Sequence, residues 1–124
     1  MITIDEMLVW RKKHIWEKLD VVARAKSHDY SGIETDTFKN IRLVDHLTDG
    51  RVTSELGLVP RIGDKYSRLT TLVTNDYFKR LGVKFEVPAV KEERIEDTTE
   101  DMINYLTYLL ILRAERTNGG TLPE

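Results

Sequence analysis

The sequence predicts an all-α protein, a four-helix-type bundle, and three observations support this fold class. Apolar residues recur every three or four positions through most of the chain, which is the period of a helix with one buried side. Residues that cap helices precede several of these segments, and glycines follow them. The chain contains no convincing pair of strand-like segments, so packed helices are the predicted architecture.

The first helix is predicted over residues 4–27. Thr3 and Glu6 have the spacing of a capping box, in which each side chain binds the backbone N–H of the other residue. The polar stretch 27–32, which ends in glycine, is expected to terminate the helix. Apolar residues at helical spacing define its expected core side: Leu8, Ile15, Leu19, Val22 and Ala23.

A short second helix is predicted over residues 37–48, with Asp36 or Thr35 as its cap. A third helix is predicted over 54–75 with Thr53 as its cap. Pro60 lies inside this third helix and cannot donate a backbone hydrogen bond, so a kink or a break is expected near Gly57. The expected core side of the third helix consists of Leu58, Ile62, Tyr66, Leu69 and Val73.

Residues 76–92 contain Gly82 and Pro88 and are predicted to be irregular. The last helix is predicted over 91–116, and the run from Asn118 to Gly120 is expected to end it. Its expected core side consists of Ile95, Met102, Ile103, Leu106, Leu109 and Leu110.

The chain of 124 residues is expected to form one domain, residues 1–124. The net charge of −2 makes a dedicated nucleic-acid binder an unlikely class, since such proteins usually carry excess positive charge. The absence of cysteine excludes disulfides and thiolate chemistry. With no signal peptide and no apolar run long enough to cross a bilayer, we expect a cytoplasmic protein with no membrane partner.

One face of the third helix carries the charged residues Arg61, Asp64, Lys65 and Arg68. Three cations on successive turns suit a phosphate group, because arginine offers a planar fork of donors and lysine a point charge. The alternative is a solvated face on which Asp64 pairs with Arg68 at i,i+4. Phosphate binding is therefore one of two interpretations of this face.

The last helix carries Glu93, Asp97 and Asp101 on successive turns. Asn104 and Tyr108 continue the same stripe toward its carboxyl end, and Tyr105 flanks it. Three like charges in such a row repel one another, so a cation is expected beside them. The candidates are Mg²⁺, which prefers carboxylate and phosphate oxygens, or the cations of the third helix. The helix dipole accounts for the first two acids but does not reach Asp101.

A further polar group, Lys26, Asp29 and Tyr30, lies where the first helix is expected to end. Tyr30 could stack on a base, or it could pack over the core with its hydroxyl in water. The sequence has no Ser-His-Asp order, phosphate-binding glycine loop or dinucleotide fingerprint, so the enzyme classes that depend on them are disfavoured.

These polar groups occur in an order that resembles the nucleotide modification associated domain 1 family of phages and bacteria. The motifs that carry the resemblance are Lys26-x-x-Asp29-Tyr30, Phe38-Lys39-Asn40, Gly57-Leu58-Val59-x-Arg61-x-x-Asp64-Lys65-x-x-Arg68-Leu69, and Glu93-x-Ile95-x-Asp97-Thr98-x-x-Asp101-x-x-Asn104-Tyr105. The resemblance covers about residues 20–113. The family is distantly similar to the MazG-like all-α nucleoside triphosphate pyrophosphohydrolases, in which acidic pairs on two adjacent helices hold Mg²⁺.

The resemblance implies nucleotide handling. If it extends to Mg²⁺-dependent hydrolysis, Asp64, Asp97 and Asp101 would hold the metal, Glu93 would activate water, and Lys65 and Arg68 would neutralise phosphate charge. Arg61 departs from the pattern of the MazG-like enzymes, in which an acid is expected at that position. The remaining ligand-binding candidates are Lys26, Asp29, Tyr30, Arg61, Asn104 and Tyr105.

Two alternatives to an enzyme stay open, namely a non-catalytic nucleotide binder and a phage protein that blocks a host factor. In the last case the charged faces would form a structural salt-bridge network. The apolar content of the last helix, together with Trp10 and Trp16 on the first, predicts a homodimer or a higher homo-oligomer.

Overall fold

The computed structural model describes residues 1–31, 36–83 and 94–124, and the side chains of 27–31 are outside this description. The described residues contain helices and turns and no strand, which confirms the all-α class. The chain divides into two compact units, residues 1–43 and 44–124. That division does not decide whether either unit folds alone, so the single domain stays a prediction.

The first unit contains one long helical segment that changes its pitch. Helix α1 (Ile4–Arg11) continues through a π-helical turn (Lys12–Trp16) into helix α2 (Glu17–Ser31). The predicted capping box is present: the backbone N–H of Thr3 donates to Glu6 Oε2 at 2.8 Å, and that of Glu6 donates to Thr3 Oγ1 at 3.1 Å. The predicted end at residue 27 is wrong, because the helical backbone runs to Ser31.

The first half of this segment is not packed as the sequence predicted. No residue of α1 or of the π-helical turn is buried, and Leu8, expected in the core, is exposed. Leu19 on α2 is buried, and Ile15, Val22 and Ala23 are partly covered. Apolar residues on several sides of the segment are therefore left in contact with solvent.

Residues 37–42 form turns, and the next helix, α3 (Leu43–Leu47), is shorter than the predicted 37–48. Asp36, which was predicted to cap a helix, caps this turn instead: its Oδ1 accepts a hydrogen bond from the backbone N–H of Phe38 at 3.1 Å. Burial raises the pKa of Asp36, but hydrogen bonds from Arg42 and Phe38 outweigh that effect and lower it. This carboxylate therefore stabilises the turn in its charged form.

Helix α4 (Ser54–Arg80) begins where the sequence predicts, with Thr53 Oγ1 accepting from the backbone N–H of Leu56 at 3.1 Å. The helix is not broken, and Pro60 lies inside it. Gly57 allows a close approach to α3: a Cβ at Gly57 would lie 2.6 Å from Cγ1 of Val44. Glycine is required there because any side chain would overlap that methyl group.

The prediction of irregular structure from residue 76 is wrong for its first part, because α4 continues for another turn. Gly82, with a positive φ of 72°, terminates the helix, and the backbone N–H of Val83 donates to the Phe78 carbonyl at 3.0 Å. This is the usual glycine-dependent helix ending. Residues 84–92 lie outside the described residues.

Helix α5 (Ile95–Thr117) packs along α4. Two ion pairs fix its direction, since Lys65 meets Asp101, and Glu55, earlier in α4, meets Arg116, later in α5. The two helices are therefore antiparallel. Residues 118–120 end α5 as predicted, with Gly120 N–H donating to the Glu115 carbonyl at 2.9 Å.

The core of this helix pair differs from the predicted one. Leu58, near the start of α4, and Leu112, near the end of α5, are buried. Several residues expected in the core are exposed instead, namely Tyr66, Val73, Leu106 and Leu110. No helix among the described residues is long and apolar enough to cross a membrane.

Candidate functional site

The predicted charged faces of α4 and α5 meet at one ion pair. Lys65 Nζ donates to Asp101 Oδ2 at 2.9 Å. The Lys65 side chain is 16% exposed and that of Asp101 is 35% exposed, so both charges are withdrawn from much of the solvent. A charge-assisted hydrogen bond at this depth is stronger than an ion pair on the open surface.

The α5 residues that face α4 form a stripe that is partly polar. Thr98 is fully buried and Leu112 is 3% exposed, and both lie on the helical face that carries Asp101. Tyr105 and Tyr108 fall between them on the same face and are partly covered. We call this line of contact the seam; on α4 it includes Leu58 and Lys65, with Leu69 and Leu72 at the following turns.

The two tyrosines of the seam form an aromatic pair. Their ring centroids are 6.3 Å apart, and the ring planes meet at 79°, an edge-to-face arrangement. Burial raises the pKa of Tyr108, and the nearby Tyr105 and Asp101 raise it further. The Tyr108 hydroxyl is therefore neutral over the physiological range and within electrostatic reach of the Lys65–Asp101 pair.

Other charged residues surround the seam on one side. Three of them lie on α4 and are exposed: Arg61, Asp64 and Arg68. At 100° per residue, all three are displaced around the α4 axis in the same direction from Lys65. Asp97 and Asn104 are rotated from the centre of the α5 stripe in the corresponding direction. In an antiparallel pair such residues emerge on the same side, so helical geometry groups all five on one surface, which we call the rim.

The described residues do not assemble a metal site. Among them there is no group of three histidine, aspartate or glutamate side chains positioned to hold a metal ion. The Asp101 carboxylate is bound to the Lys65 ammonium, which supplies the positive charge that the acidic row requires. The predicted ligands Asp64 and Asp97 are exposed, and the Mg²⁺ site stays a prediction.

The other predicted site residues do not belong to helix α4 or helix α5. Glu93 lies outside the described residues, since α5 begins at Ile95 with Arg94 as its cap. Lys26 is exposed in the first unit. Asp29 and Tyr30 lie in the last turn of α2 rather than after the helix, and the positions of their side chains are outside the description.

Two polar features of α4 were not anticipated. Glu55 accepts hydrogen bonds from Arg116 across the helix pair, including one at 3.3 Å from Nη2, and that contact lowers the pKa of Glu55. The side-chain amide of Asn75 is buried with no hydrogen-bond partner in the described part of the chain. Glu55 and Arg116 are 61 residues apart, so no local sequence pattern indicates that they pair.

Comparison of the chain with protein-family models, with curated proteins and with solved structures finds no match. The resemblance to the nucleotide modification associated family accordingly rests on the motifs quoted above.

Proposed function

We propose that this protein binds a nucleotide, or another phosphorylated small molecule, on the rim of the α4–α5 pair. The observation that carries the proposal is the partly buried Lys65–Asp101 pair, with the exposed cations Arg61 and Arg68 within one turn of Lys65. A lysine on the seam between two arginines supplies one point charge and two planar donor groups to a phosphate.

In this proposal the phosphate oxygens accept hydrogen bonds from Arg61 and Arg68 and lie within the positive potential of Lys65. Asp101 holds the Lys65 ammonium in place, since a charged lysine side chain otherwise samples many rotamers. Positioning a charge before the ligand arrives lowers the entropy lost on binding. The described residues thus support binding, and hydrolysis with Mg²⁺ stays a prediction.

The second candidate is a protein that inhibits a host factor, with the charged residues acting only in stability. The same ion pair favours it, because Lys65 and Asp101 neutralise each other without any ligand. The two candidates differ in one measurable respect. A ligand that binds the folded state must raise its melting temperature, whereas a structural network gives no response to nucleotides.

The test is thermal-shift and calorimetric titration of the full chain with nucleoside mono-, di- and triphosphates, each with and without Mg²⁺. Arg68→Gln should weaken binding about tenfold, since it removes a charged donor worth about 1–2 kcal/mol. The control is Lys79→Gln, which removes an exposed positive charge about 16 Å from Arg68 along the α4 axis. Equal weakening in both variants would attribute the effect to net charge, and no binding by the wild type would refute the proposal.

We also propose that the chain associates with a second copy of itself. Large apolar side chains of the first segment are well exposed: Val9 69%, Trp10 57%, Trp16 41% and Val21 71%. These residues project in several directions around the segment. A helix that is apolar on several sides is stable in water when neighbouring helices cover it.

A further inference from the structure

We propose that the Tyr105–Tyr108 pair is the base-binding part of the site and stacks on the aromatic ring of a nucleobase. This inference rests on the proposed function, because it assigns the part of the ligand that the cations do not bind. It makes the ligand a nucleotide rather than a sugar phosphate or inorganic phosphate. The argument uses the position, the partial burial and the mutual geometry of the two rings.

The first argument is position along α5. Tyr105 and Tyr108 follow Asp101 by four and seven residues, which places them about 6 and 10 Å from it along the helix axis. Since Asp101 is bonded to Lys65, the rings lie one to two turns from the proposed phosphate position. A phosphate near Lys65 can therefore be joined, through one sugar, to a base beside the tyrosines.

The second argument is incomplete burial. Thr98 and Leu112 mark the two ends of the stripe and are almost fully covered, whereas both tyrosines between them are covered only in part. The edge-to-face contact places the edge of one ring against a face of the other. Such a contact leaves ring surface over for a flat partner, and a nucleobase offers one.

The third argument is the neighbouring amide. Asn104 lies one turn before Tyr108, on the rim side of the helix, and its side chain is partly exposed. A carboxamide carries two N–H donors and one carbonyl acceptor, which match the mixed donors and acceptors on the edge of a base. A nucleobase can contact both a flat aromatic surface and a carboxamide, whereas a phosphate has no flat ring to stack.

The experiment compares a nucleoside triphosphate with inorganic tripolyphosphate, which has the same phosphates and no base. Dissociation constants for the full chain are measured by calorimetry for wild type, Tyr105→Leu, Tyr105→Phe and Tyr108→Phe. The wild type should bind the nucleotide roughly tenfold more tightly than tripolyphosphate, a difference typical of one stacked base. Tyr105→Leu should remove this preference and leave tripolyphosphate binding within about twofold, while both phenylalanine variants, which retain the ring, should keep it.

Two results would overturn the inference while leaving the proposed function intact. One is equal affinity of the wild type for nucleotide and tripolyphosphate. The other is an unchanged preference in Tyr105→Leu whose melting temperature matches that of Tyr105→Phe. If neither compound binds the wild type, the proposed function fails and this inference fails with it. If Tyr105→Leu unfolds, Tyr108→Leu is measured in its place; loss of the nucleotide preference supports the inference, and an unchanged preference overturns it.

Discussion

The Lys65–Asp101 pair makes a quantitative prediction about stability. Replacing Asp101 with Asn leaves the Lys65 ammonium, whose side chain is only 16% exposed, without its negative partner. Exposed ion pairs contribute about 0.2–1 kcal/mol, and loss of one partner of a fully buried pair costs about 3–5 kcal/mol. Because Asp101 is itself 35% exposed, solvent screens part of the effect, and we expect a cost of about 1–2 kcal/mol.

The assay is thermal unfolding followed by far-ultraviolet circular dichroism, without ligand and without metal. For a chain of this length 1 kcal/mol corresponds to about 3–5 °C, so Asp101→Asn should lower the melting temperature by about 3–8 °C. Lys65→Met should cost a similar amount. The double variant should cost less than the sum of the two, because neither charge is left unpaired. Asp76→Asn, which removes an exposed partner of Arg80, is the control and should change the midpoint little.

The opposite result would refute this reasoning. If Asp101 belongs to a crowded group of metal-binding carboxylates, removing its charge relieves repulsion, and Asp101→Asn without metal should be unchanged or more stable. The same variant should then lose any stabilisation by Mg²⁺ with nucleotide. A stable Asp101→Asn with additive effects of Lys65→Met would show that the ion pair contributes nothing.

Four further predictions follow from single residues. Gly57→Ala should destabilise the protein by about 1–3 kcal/mol, because the added methyl group overlaps helix α3. Gly63→Ala, whose added methyl group meets no atom within 4 Å, should stabilise the protein by about 0.5–1 kcal/mol. Urea denaturation measures both free energies of unfolding, and equal effects would contradict the close contact at Gly57. Asn75→Leu should be neutral or raise the melting temperature, since the buried amide has no partner in the described residues; a marked loss would reveal one. Light scattering at high micromolar concentration should detect a dimer that Trp10→Glu weakens, and a monomeric wild type would refute it. The stability contributed by the raised pKa of Tyr108 is present below pH 10 and falls as the pH rises through the folded-state pKa. In an absorbance titration of the tyrosines at 295 nm, Tyr108→Phe should lack the ionisation step that occurs at the highest pH. A titration identical to that of the wild type would contradict the raised pKa.

The sequence by itself determined the all-α class and the beginnings of the helices at Ile4 and Ser54. The caps at Thr3 and Thr53 and the glycine ending after α5 involve residues a few positions apart, so local spacing is enough to predict them. Helix ends that depend on weaker signals were less well predicted. The polar stretch 27–31 did not stop α2, and α4 continued to Arg80 because nothing before Gly82 interrupts it.

The tertiary structure decided which face of each helix is covered. The apolar arc of α4 is broad, but contact with α5 covers only a narrow stripe of it. Leu58 and Lys65 lie in that stripe, and Tyr66 and Val73 do not. On α5, Leu106 and Leu110 are likewise exposed.

In the candidate site, too, the packing of the helices decided which residues meet. The sequence indicated that the cations of α4 and the acids of α5 belong together, since unlike charges on packed helices attract. It could not indicate that Lys65 and Asp101 are the pair that meets, because these residues are 36 positions apart and the register between two packed helices has no local signal. Leu58 and Leu112 are buried in the seam, and the packing of such side chains between α4 and α5 sets this register, which exists only in the folded helix pair.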